Sequence, residues 1–131
     1  MFIDASALTA ALTDEADGGE LLARMQAARK RMTSPLAAWE TARAVARILN
    51  LELEVTRRAI EDYLEAMDIT LVAVPPWVWQ SALMAHDRFG KGRHPARLNF
   101  GECFAYACAR HYGQPLMFKG GDFALTDIEA A

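Results

Sequence analysis

Short apolar runs punctuate this chain, and helix-like stretches separate each run from the next. The runs are Phe2 and Ile3, residues 69–74 (ITLVAV) and residues 116–118 (LMF), and Met32-Thr33 reads as a further brief strand. Between them the apolar residues recur at helical spacing. The order reads strand, helices, strand, helices, strand, helix, helix, strand. Strands joined through helices pair in parallel and bury both faces, so the order predicts a three-layer α/β domain with a parallel sheet. At 131 residues the chain is most simply one domain spanning 1–131. A domain of this size buries roughly two-thirds of its unfolded surface, enough for a proper core.

The helices follow from pattern and punctuation. Residues 7–13, 20–28, 36–49, 53–67 and a segment from Pro75-Pro76 through Phe89 are read as helical. Residues 14–19 read as a polar turn. Ser34-Pro35 is a helix start, with proline in the first turn. Trp39, Ala42, Ala46 and Leu49 are expected to form the core stripe of one helix, and Ile60, Leu64 and Met67 that of the next. Trp79, Ala82, Leu83, His86 and Phe89 are expected to pack the helix after the double proline. Arg29, Lys30 and Arg31 suit a helix C-terminus.

The stretch from Leu98 to Phe123 concentrates the polar chemistry. Asn99 caps a helix, Glu102 sits in its first turn, and Phe104, Ala105, Cys108 and Tyr112 mark its buried face. Gly113 and Pro115 stop it. The strand at 116–118 then runs into Lys119, Gly120, Gly121 and Asp122. Ligands in open parallel sheets bind at that end of the strands. One acid therefore opens the helix, and another lies just past the strand that follows.

Composition narrows the classes. The hydrophobic fraction of 53% and the charged fraction of 24% are ordinary for a globular protein. No apolar run approaches the length of a membrane span, and no basic n-region marks a signal peptide. Cys103 and Cys108 are five apart in one expected helix. They point different ways, match no zinc spacing and are read as core thiols of a reducing, cytoplasmic protein. The net charge of −3 excludes a general polyanion binder. Arg88, Lys91, Arg93, Arg97 and Lys119 nevertheless form a local basic patch, with His94 among them.

Individual residues admit plain explanations. Capping accounts for Asp4 and Ser6, and a surface ion pair with Arg43 or Arg47 for Glu40, while the place of each acid beside a strand end keeps a metal-ligand role open. The loop from Gly90 to Pro95 is either a solvated connector or a contact for nucleic-acid phosphates. An aspartate nucleophile of the haloacid dehalogenase kind is disfavoured, because position 6 is Ser and the second acid is missing. No Ser–His or Cys–His arrangement suggests covalent catalysis.

Four blocks carry a family likeness: FIDASAL at the start, SPLAAWETARAV around Glu40, FGKGRHPARLNFGECFAYACA, and PLMFKGGDFALTDI at the end. With them the chain resembles the PIN-domain ribonucleases, specifically the VapC-type toxins of toxin–antitoxin pairs, over nearly its whole length. The resemblance implies a three-layer α/β/α PIN-like domain with a central parallel sheet of four or five strands. It implies that Asp4, Glu40, Glu102 and Asp122 are catalytic acids and metal ligands for Mg²⁺ or Mn²⁺. Ser6, Arg93, Arg97 and Lys119 fall on positions beside the site or around the substrate groove. The implied activity is metal-dependent hydrolysis of phosphodiesters in structured RNA, tRNA or rRNA. The implied partners are a VapB-type antitoxin and a second copy of the chain, with DNA reached only through the antitoxin. Leu36, Trp39 and Ile60, or Trp77, would supply the apolar surface. Glu102 departs from the family's usual aspartate by one methylene, which matters to an ion as geometrically strict as Mg²⁺. That departure motivates an alternative: a weakened or inactive PIN-fold module that binds RNA or antitoxin without cutting.

Overall fold

The computed structural model describes residues 1–13 and 16–131, so two residues of the expected polar turn, Asp14 and Glu15, lie outside it. The elements are β1 (Phe2–Ile3), α1 (Ala5–Leu12), α2 (Gly18–Ala27), β2 (Arg31–Thr33), α3 (Pro35–Leu49), α4 (Leu53–Ala66), β3 (Ile69–Leu71), α5 (Val78–Phe89), α6 (Phe100–His111) and β4 (Leu116–Met117). A 3-10 turn follows at Phe123–Leu125. The sheet order is β3-β2-β1-β4, and every pairing is parallel. Phe2 stands opposite Met32 on one side and Leu116 on the other.

Strand alternation sorts the core into two layers. Phe2, Met32 and Leu116 pack with α5 and α6 residues such as Val78, Ala82, Phe89 and Cys108. Ile3 and Met117 face the other way, onto Ala7 and Leu8 of α1, Leu21 and Met25 of α2, and the partly buried Leu64 of α4. Helices therefore cover both faces of the sheet, as the element order predicts, and the sheet has four strands among the described residues.

Several boundaries differ from the sequence reading for physical reasons. β3 stops at Leu71 instead of running to 74, because its partner β2 ends at Thr33, whose carbonyl accepts the last ladder bond from Val72 N–H at 2.8 Å. It is an edge strand, so Thr70 and Leu71 are exposed. Arg31 joins β2, and its guanidinium donates to the Met25 and Ala28 carbonyls at the end of α2. The C-terminal cation expected of that segment thus closes the helix.

The faces of two helices also differ from expectation. In α3 the buried positions are Ala37, Thr41, Val45 and Ala46, while Trp39 is 59% exposed and Leu49 is also exposed. Small side chains bring α3 close to its neighbours, and the large indole is left outside, with the Arg43 guanidinium 4.8 Å from its ring centre. In α5 the buried positions are Val78, Ala82, Ala85 and Phe89, with Trp79 and Leu83 exposed. Ile60 is buried in the core and has no surface to offer a partner. Cys103 and Cys108 are buried free thiols, and burial pushes both up to about 11, consistent with inert core residues.

Candidate active site

The C-terminal ends of β1, β2 and β4 open onto one side of the sheet, and each hands the chain to a polar segment there. Asp4 ends β1 and caps α1; its Oδ2 accepts from Ser6 N–H at 2.9 Å. Ser34 caps α3 through Ala37 N–H, which starts the helix that carries Glu40 in its second turn. Asn99 caps α6 in a reciprocal capping box. Its Oδ1 accepts from Glu102 N–H at 3.0 Å, and Glu102 Oε2 accepts from Asn99 N–H at 2.7 Å. Lys119 and Asp122 lie in the segment leaving β4.

These segments enclose an open cleft of about 480 Å³ lined by Asp4, Ser6, Glu40, Arg47, Glu102 and Lys119, among others. Asp122 is exposed and outside the lining. Its charge nevertheless reaches Glu102. Burial raises the Glu102 pKa, the Asn99 N–H opposes the rise, and the charges of Asp4, Asp122 and Glu40 add to it. Glu40 is raised by burial and then by Asp4. Asp4, 3% exposed, is raised by burial against the two bonds from Ser6. Four acids from four separate segments thus share one electrostatic neighbourhood, where burial and like charge raise the pKa values of Asp4, Glu40 and Glu102 above their ordinary range.

Ser6 ties the chain leaving β1 to the chain leaving the edge strand β4. Its hydroxyl donates to Asp4 Oδ2 at 2.6 Å and accepts from Lys119 N–H at 3.0 Å. Replacing it by Ala removes a donor from a buried carboxylate and a partner from a half-buried N–H. Ser6→Ala should therefore cost about 1–3 kcal/mol, measured as a shift in the urea midpoint at unchanged slope. A loss below about 0.5 kcal/mol would mean that water replaces both contacts.

The cations divide. The Lys119 ammonium is 2.9 Å from Asp17 Oδ1 and holds that carboxyl below its usual range. Arg93 and Arg97 line a different hollow, with Lys91 and His94. Arg93 donates to Asp87 at 2.6 Å. Among the described residues Glu40 forms no ion pair with Arg43 or Arg47, so the surface-pair explanation does not hold there. Arg47 lines the cleft, a position that sequence reasoning gave only to a surface pair.

The donor set can be weighed against a divalent cation. Its members are hard carboxylate oxygens, the kind Mg²⁺ and Mn²⁺ select. Their mutual repulsion and the burial of Asp4 are relieved by a dication. Among the described residues, no group of three or more His, Cys, Asp or Glu is already gathered around one point as ligands. Glu102 commits Oε2 to Asn99. The chemistry fits, and closure onto an ion requires side-chain movement.

The chain has recognisable relatives among known proteins. The PIN domain family model matches residues 1–129. A protein named Ribonuclease VapC from Mycolicibacterium smegmatis is 42% identical over 130 residues, covering 99% of this chain and 98% of its own. Ribonuclease VapC30 of Mycobacterium tuberculosis is 41% identical over 128 residues, covering 98% and 95%. Among solved structures, the crystal structure of Mycobacterium tuberculosis VapC20, described as a Sarcin-Ricin loop cleaving toxin, aligns with a TM-score of 0.77 at 18% identity, over 99% of this chain and 97% of that one. At that identity the likeness speaks to the fold.

Proposed function

Since this chain belongs to the PIN-domain family and is akin to its VapC ribonucleases, we propose that it is an endoribonuclease toxin that hydrolyses phosphodiesters in structured RNA with the help of Mg²⁺ or Mn²⁺. The observation that carries this reading is the convergence of Asp4, Glu40 and Glu102 on one cleft at the C-terminal side of the sheet, with Asp122 near enough for its charge to act on Glu102. Asp4, Glu40 and Glu102 would hold the principal ion, with Asp122 completing the pocket. Bound there, such an ion would lower the pKa of a water and offset charge on the phosphate.

The rest falls to the chain's own groups. Asp4 stays fixed because Ser6 holds one of its oxygens from both backbone and hydroxyl. Lys119 and Arg47, on the cleft wall, offer positive charge to phosphates flanking the scissile bond. Arg93, Arg97 and Lys91 offer a second phosphate contact outside the cleft. A VapB-type antitoxin would cover the acids with a basic segment. The exposed Trp39 and Trp77 offer apolar surface to such a partner or to a second copy of the chain. Among the described residues no helix is long and apolar enough to cross a membrane.

The test is cleavage of a tRNA and an rRNA-loop oligonucleotide by purified protein in Mg²⁺, in Mn²⁺ and in excess EDTA. The expected result is cleavage with either ion and a loss on the order of 10²-fold or more in EDTA. Equal cleavage in EDTA would overturn the metal-dependent reading. A second reading has its own support in the capping box, which occupies one Glu102 oxygen: the chain binds RNA or antitoxin without cutting. It predicts RNA retention with no cleavage by the wild-type protein under any of the three conditions.

A further inference from the structure

The first turn of α6 approaches Glu40 so closely that any side chain there would have to displace the Glu40 carboxylate. A Cβ built on Gly101 would overlap both carboxylate oxygens of Glu40 and the carbon that bears them. Gly101 is buried, helical and free of positive φ, so no backbone requirement accounts for glycine at this position. Alanine is the better helix former, and the missing methyl group corresponds to the space filled by the Glu40 carboxylate. Among the described residues Glu40 has no ion pair or side-chain hydrogen bond to fix it. Packing against the α6 backbone is therefore what sets its position.

We propose that Gly101 is a positioning residue of the cleft: by lacking a side chain it lets the α3 carboxylate of Glu40 rest on the first turn of α6, between the capped Glu102 and Asp4. This deepens the reading of the cleft as a cation-dependent centre and rests on it. The same turn thereby sets two acids, Glu102 through its bond to Asn99 and Glu40 through the bare Gly101 backbone. The group in the way of a new methyl is the far end of a flexible side chain, so the fold can absorb Gly101→Ala. The displacement falls on Glu40.

The experiment uses the full chain, Mn²⁺ as the probe, and the variants Gly101→Ala, Glu40→Asp and their combination. Gly101→Ala should keep the wild-type circular dichroism spectrum and melt within a few degrees of wild type in EDTA. In that metal-free protein the ¹³C resonance of the Glu40 side-chain carboxyl should move. By calorimetry, Mn²⁺ affinity should fall about tenfold or more, the scale seen when a group that orients a ligand is lost. In the double variant the losses should fall short of multiplying, because a shorter carboxylate no longer meets the new methyl. A Glu40 resonance that stays in place in Gly101→Ala overturns the proposal, as do unchanged Mn²⁺ affinity or losses that multiply in full. If wild type itself fails to bind Mn²⁺, the cation reading of the cleft falls, and the resonance in EDTA still decides whether Gly101 positions Glu40.

Discussion

Replacing Asp4 by Asn should lower RNA cleavage on the order of 10³-fold and at the same time make the metal-free protein more stable at neutral pH. The two effects have one origin. Asp4 is buried at the end of β1, where burial raises its pKa and where its charge raises the pKa values of Glu40 and Glu102. The amide of Asn still accepts from Ser6 N–H and so still caps α1. What disappears is the charge, and with it an oxygen that the proposed ion would use. A residue kept for stability alone would behave in the opposite way.

The sign of the pH dependence follows from the same shifts. Asp4, Glu40 and Glu102 all titrate higher in the fold than their ordinary values of 3.8 for Asp and 4.5 for Glu. The folded state then binds more protons than the unfolded chain across that interval. Their contribution to stability is fully present below the ordinary values and is lost as pH rises through the raised ones. In EDTA, the melting temperature of wild type relative to Asp4→Asn should therefore fall as pH is raised from about 4 to about 8. Added Mn²⁺ should restore wild type at neutral pH and leave Asp4→Asn little changed. A variant less stable than wild type throughout that range would mean that the capping bond, not the buried charge, dominates at Asp4.

The sheet was legible because its strands are short, apolar and set apart by helices, a pattern that allows few other folds. The caps were legible for the same local reason: Ser34, Asn99 and Asp4 each announce a helix start by residue type and position. Helix faces were harder. Reading α3 by size put Trp39 and Leu49 inside, whereas the small Ala37 and Thr41 are what allow close packing. Periodicity alone does not choose between two apolar stripes a third of a turn apart. The acids were legible one at a time only as caps or surface charges, and the family likeness united them before geometry did. The contact between Gly101 and Glu40 could not be read at all, since the two residues lie in helices that meet only after folding.

Phe2→Ala should cost about 3–5 kcal/mol, a large share of the roughly 5–15 kcal/mol that holds a domain of this kind together. β1 is two residues long and central in the sheet, between β2 and β4. Phe2 is 0% exposed and packs in the layer formed with α5 and α6. No other part of so short a strand can close over the void. Asp4 lies two residues further on, so the strand that anchors the core also aims the acid. A cation that binds only the folded state adds back about 2.7 kcal/mol when present at a hundredfold excess over its dissociation constant. Urea unfolding in EDTA and in Mn²⁺ should accordingly show Phe2→Ala strongly destabilised in both, but with nearly the same gain from Mn²⁺ as wild type, because the cavity leaves the acids in place. Asp4→Asn should show the reverse, a stable fold that gains little from the ion. An equal gain from Mn²⁺ in Asp4→Asn would separate cation binding from the buried acid, and a loss under about 1 kcal/mol in Phe2→Ala would mean that the sheet does not depend on its central strand.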